Sequence, residues 1–129
     1  MGRKSHGNED RKILIVDDDE GILEAFRAMF ENTPYDISTS LGTGVLTTIS
    51  RSSLPDLIIL DVLLSGQDGR DICRTLKSDP KTKHIPIVMI SAHPKAEKST
   101  LEAGADDYLK KPFEIDELMK KIEKFLKEK

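Results

Sequence analysis

The sequence predicts an α/β fold: one five-stranded parallel sheet, doubly wound, with five helices on its two faces. Three observations lead there. KILIV at 12–16, LIIL at 57–60 and IPIVMI at 85–90 are short, unbroken or nearly unbroken aliphatic runs rich in β-branched residues, too short for core helices and apt for strands. The first two are followed by stretches with apolar residues at helical spacing, and the third by a further helical stretch closed by Gly104. The runs do not alternate with polar residues, as expected of strands covered on both faces.

The elements follow in order. The first strand, 12–17, runs into DDDE. After it Ile22, Leu23, Phe26, Met29 and Phe30 recur at helical spacing, with Pro34 just beyond. YDISTS at 35–40 reads as a second, short strand. TGVLTTISR at 43–51 reads as a helix of low propensity, because of its threonines. LIIL is the third strand, ending in Asp61, and LLSGQDG is a loop with turn chemistry. Residues 68–78 form the third helix, with Ile72, Cys73 and Leu76 on one face. IPIVMI is the fourth strand, 95–103 the fourth helix, closed by Gly104, and DDYLK at 106–110 the fifth strand. Ile115, Leu118, Met119, Ile122, Phe125 and Leu126 stripe the last helix.

A chain of 129 residues is the size of one ordinary domain and can bury a core without disulfides. Residues 1–11, polar at the start, read as a disordered segment or an expression remnant, and 12–129 as the domain. There is no apolar run long enough to span a bilayer and no secretory signal. With a single cysteine, Cys73, no internal disulfide is possible, and the cytoplasm is the expected compartment. Net charge is −3, and no dense basic patch or tryptophan is present, so direct nucleic-acid binding is not expected.

In open parallel sheets, ligands bind beyond the carboxyl ends of the strands. There the sequence places Asp17 and Asp18, Asp61, Ser91, and the pair Lys110-Lys111. Carboxylates held together repel and must be protonated or neutralised by a cation. Mg²⁺ suits them: it takes one or two carboxylates and leaves positions for water and phosphate oxygens. A hydroxyl and a lysine opposite it suit a phosphoryl group. Asp19 and Glu20 most simply start a helix.

ILIVDDDE, PDLIILDVLLSGQDG, IPIVMISAH and GADDYLKKPF, in this order and spacing, resemble the receiver domain of bacterial two-component response regulators over residues 12–128. The resemblance implies a flavodoxin-like strand order, 2-1-3-4-5. It implies that Asp61 accepts a phosphoryl group from a sensor histidine kinase or phosphotransfer protein. Mg²⁺, with Mn²⁺ as a substitute, would be held by Asp17, Asp18, Asp61 and the backbone carbonyl of Leu63. Ser91 and Lys111 would contact the phosphoryl group, and the Lys111–Pro112 bond would be cis. Ser91 and Tyr108 match the family's switch pair, Tyr108 turning inward when Ser91 moves. The fourth helix, fifth strand and fifth helix would then engage a downstream protein or output domain. The expected protein is a signalling domain rather than an enzyme, a monomer or weak homodimer, in contact with neither membrane nor nucleic acid. Leu63 and His93 border the site and are candidates for tuning phosphoryl lifetime. Leu64-Ser65-Gly66 stands where the family often has Met-Pro-Gly, which should loosen that loop slightly.

Three other readings compete. A haloacid-dehalogenase-type phosphohydrolase needs an acid two residues after its nucleophile, where Leu63 stands. A calcium loop beginning at Asp17 would need glutamate at its twelfth position, which is Ala28. A degenerate receiver would bind partners without phosphorylation, and the complete residue set speaks against it.

Overall fold

The structure, a computed structural model, describes residues 11–42, 44–45, 49, 54–64 and 66–126. Its strands β1 (Lys12–Val16), β2 (Asp36–Ser40), β3 (Leu57–Asp61), β4 (Ile87–Ser91) and β5 (Asp107–Lys110) form one parallel sheet. The order is β2-β1-β3-β4-β5, as expected. Four helices are delimited among the described residues: α1 (Glu20–Met29), α2 (Gly69–Ser78), α3 (Ala96–Glu102) and α4 (Ile115–Leu126). The helix expected over 43–51 lies largely outside the described residues; within it, Val45 and Ile49 are described, and both are buried.

Strand side chains alternate between the two faces of the sheet, and both faces are core here. Ile13, Ile15, Leu57 and Ile59 pack with Leu23 and Phe26 of α1 and with Leu118 and Ile122 of α4. Leu14, Val16, Ile58 and Leu60 pack with Ile72, Cys73 and Leu76 of α2. The aliphatic runs are unbroken because neither face meets water. Edge strand β2 is half-exposed and correspondingly polar. Burial pushes the Cys73 thiol up to about 11, so it is a protonated core residue without nucleophilic character.

Two local expectations are corrected. The fourth strand begins at Ile87 rather than Ile85; Pro86, which has no N–H to give to a ladder, instead accepts from Ile58 N through its carbonyl at 3.0 Å. The segment after Asp61 is more ordered than a loop. Leu63–Leu64 and Gln67–Asp68 form a two-residue antiparallel ribbon, and Gly66 takes the left-handed conformation at φ +72° that its turn requires.

Register brings the site to one edge. Val16 lies beside Leu60 and Ser40, Asp61 beside Ile90, and Ser91 beside Lys110. Asp17, Asp61, Ser91 and Lys111 therefore fall within one residue of the same sheet boundary.

Candidate functional site

The acidic run at the end of β1 divides its labour. Asp19 is the N-cap of α1: its Oδ1 accepts from Gly21 N at 2.8 Å and Ile22 N at 3.4 Å, and Glu20 begins the first turn. The expectation that these two start the helix holds. Asp17 is buried, and its Oδ1 accepts from Asp19 N at 3.0 Å. Its other oxygen, Oδ2, faces Lys111 Nζ at 3.7 Å.

Asp61 closes β3 and is itself buried. Its Oδ1 lies 3.5 Å from Lys111 Nζ. Asp17, half-buried Asp18 and Asp61 each offer a carboxylate oxygen, and these oxygens lie within 4.8 Å of one another. That span is near that of a Mg²⁺ octahedron, about 4 Å across. The donor set therefore fits a hard divalent cation: three carboxylates close together, with oxygen ligands only.

Burial pushes the Asp61 carboxyl up to about 6; the Lys111 ammonium pulls it back, while the carboxylates of Asp17 and Asp18 push it further up. Asp17 is raised as well, chiefly by burial, against the opposing pull of the Asp19 N–H and then of Lys111. Both shifts share one cause, namely carboxylates drawn out of water beside each other, which the Lys111 ammonium only partly offsets.

Lys111 is anchored through its backbone, whose N–H donates to Ser91 O at 2.9 Å, and the Lys111–Pro112 peptide is cis. Ser91 is buried, and its Oγ accepts from His93 N at 2.9 Å. The half-buried Tyr108 donates its hydroxyl to the carbonyls of Ser91 at 3.3 Å and His93 at 3.2 Å. The aromatic side chain thus already clasps the segment that joins β4 to α3. His93 is exposed, its Nδ1 accepting from Lys95 N at 3.1 Å. The Leu63 side chain is also exposed, and its backbone is paired with Asp68 in the ribbon.

Gly69 is a site residue that sequence reasoning passed over. Its N–H donates to Val62 O at 2.7 Å, and a Cβ there would collide with the backbone oxygen of Asp61. The only signal was the Asp-Gly pair at 68–69, legible as turn chemistry but not as a close approach to Asp61. Beside the site an open groove of about 490 Å³ runs between α1 and the chain after β5, lined among others by Ile22, Phe26, Met29, Lys111, Pro112 and Phe113. No helix of the described residues is long and apolar enough to cross a membrane.

Residues 13–123 match the family model described as the response regulator receiver domain. The response regulator PleD of Caulobacter vibrioides is 40% identical over 110 residues, which cover 84% of this chain and 24% of PleD. The chain spans about half the length of other curated relatives it matches. Among solved structures, a putative response regulator from Chloroflexus aurantiacus superposes with a TM-score of 0.85 at 36% identity, covering 92% of this chain and 98% of that one. The receiver domain of the Pseudomonas aeruginosa sensor histidine kinase PA1611, solved with a magnesium ion coordinated in its active site cleft, gives a TM-score of 0.79 at 25% identity, covering 90% and 97%.

Proposed function

The chain belongs to the response regulator receiver domain family, the signalling domain of two-component systems, and we propose that Asp61 is its phospho-acceptor. The observation that carries this reading is the buried Asp61 carboxylate, set against Lys111 and clustered with Asp17 and Asp18. The donor is the phosphohistidine of a sensor histidine kinase or phosphotransfer protein. An Asp61 oxygen attacks phosphorus, the phosphorus–nitrogen bond breaks, and the imidazole leaves. With its carboxyl titrating at about 6, Asp61 is mostly ionised at neutral pH. It is also poorly solvated, so attack requires little loss of water.

Lys111, already 3.5 Å from the acceptor oxygen, pairs with the transferred oxygens as a point charge. Ser91 adds a hydroxyl donor once it turns toward them. Asp17, Asp18, Asp61 and the Leu63 carbonyl would hold Mg²⁺, or Mn²⁺ in its place; when bound, the ion neutralises charge on the carboxylates and the phosphoryl oxygens. Movement of Ser91 alters the carbonyls that Tyr108 holds, and so alters the surface of α3, β5 and α4 offered to a downstream protein or output domain. The apolar groove beside Lys111 gives the phosphodonor a surface continuous with the site. The working compartment is the cytoplasm. The chain acts on no substrate beyond its own phosphorylation and dephosphorylation.

Acetyl phosphate and intact mass test the reading. The wild-type protein is expected to gain one phosphoryl group in Mg²⁺ and none after chelation; no adduct under either condition would leave a phosphorylation-independent binding module. Asp18→Asn should abolish the adduct and Glu20→Gln should leave it, because Glu20 only opens a helix. Equal losses in both would refute that division. His93 and Leu63, exposed and each two residues beyond a site residue, Ser91 and Asp61, would set phosphoryl lifetime. His93→Ala should change the decay rate of the adduct, and an unchanged rate removes His93 from that role.

A further inference from the structure

We propose that Arg70 is a latch that holds α3 in its unphosphorylated position by a hydrogen bond to Ser99, opposing the switch. This rests on the phospho-acceptor reading above. Arg70 stands in the first turn of α2, and its guanidinium is oriented by a fork: Nε donates to Asp68 Oδ1 at 2.8 Å and Nη2 to Asp68 Oδ2 at 2.7 Å. Asp68 Oδ1 also caps the helix, accepting from Arg70 N at 2.9 Å. The remaining terminal nitrogen, Nη1, reaches out of α2 to Ser99 Oγ on α3, at 2.9 Å. The Ser99 hydroxyl spends its proton on Ala96 O at 3.0 Å, so its lone pairs are left to accept from the guanidinium.

Both ends of this bond attach to parts that the phosphoryl site moves or holds. Asp68 is paired with Leu63 in the short ribbon, and the next residue, Gly69, abuts the backbone of Asp61. Arg70 is thereby fixed to the acceptor loop. Helix α3 follows directly on the Ser91–His93 segment that Tyr108 clasps. If Ser91 is drawn toward a phosphoryl group, that segment and the start of α3 are drawn with it, while Arg70 ties the helix back to α2. A bond made in one state and stretched in the other weakens, by the same factor, any ligand that favours the other state.

The test uses the full chain, Mg²⁺ and beryllofluoride, a phosphoryl mimic, with binding followed by Tyr108 and amide signals in NMR spectra. Ser99→Ala removes the acceptor and leaves the Asp68 fork and the acidic site intact. It is expected to bind the mimic about three- to tenfold more tightly, less than a fully buried charged hydrogen bond gives because Arg70 is partly exposed. Arg70→Gln should also tighten binding, and the double variant should tighten it no further than the stronger single one. Thermal unfolding of each variant separates the latch from a merely structural bond, which would lower the midpoint and leave affinity alone. Unchanged or weaker binding in Ser99→Ala, or additive effects in the double variant, overturns the latch. A wild-type protein that takes up no mimic at all overturns the phospho-acceptor reading, and the latch with it.

Discussion

Asp61→Asn is expected to take no phosphoryl group from acetyl phosphate and, in Mg²⁺-free buffer at neutral pH, to be more stable than the wild type. On the proposed phospho-acceptor reading, the loss of labelling follows from the loss of the nucleophilic oxygen. The gain in stability follows from linkage. The Asp61 carboxyl titrates at about 6 in the fold against an ordinary 3.8, so between those values the folded protein binds the proton that the unfolded chain releases. Stability due to this group therefore falls as pH rises through that window. Above it the full cost of the buried charge remains, about 2–3 kcal/mol. An asparagine carries no such charge. The variant should unfold several degrees higher at neutral pH, and its stability should decline less than that of the wild type across the window, Asp17 being still raised by burial. Mg²⁺ should close the gap by stabilising the wild type, since it binds the ionised site. A variant no more stable than wild type in Mg²⁺-free buffer would show that Lys111 already compensates the buried charge.

Gly69→Ala should cripple the site without altering any group of its chemistry. The added methyl would meet the backbone oxygen of Asp61, a rigid neighbour that cannot swing aside as a flexible side chain would. Either α2 or the end of β3 must shift, at about 1–3 kcal/mol, and a shift at β3 moves the acceptor relative to Lys111. Phosphorylation by acetyl phosphate should slow by about tenfold or more, because small misplacements of a reacting group are costly. Gly66→Ala is the control. Gly66 has open space around it and a left-handed backbone at φ +72°, so its substitution should cost about 1–2 kcal/mol and leave the labelling rate near wild type. If both variants label alike, the close approach of Gly69 has no bearing on the acceptor.

The architecture was legible because each strand's burial is written in its own composition. LIIL and ILIV are aliphatic at every position, and the structure has both of their faces in core. The acidic strand ends were legible for the same reason, since a charge that directly follows such a run must lie at the sheet's edge. Boundaries were less so. Ile85 looks like strand, yet it precedes Pro86 and is buried by packing rather than by pairing within β4. The segment after Asp61 reads as a loop because a two-residue ribbon is too short to show a period.

What the sequence determined by itself was the type and order of the elements, and which carboxylates, hydroxyl and lysine stand at the strand ends, because those properties reside in local composition and spacing. Only the tertiary structure decided that Gly69 presses on Asp61, that Tyr108 holds the Ser91 and His93 carbonyls, and that Arg70 reaches Ser99. The first depends on a ribbon too short to show a period, the second on register between strands, and the third on how two helices distant in the chain pack on the same sheet. Distance and direction between packed elements are set by the whole core at once, and no short stretch of sequence carries them.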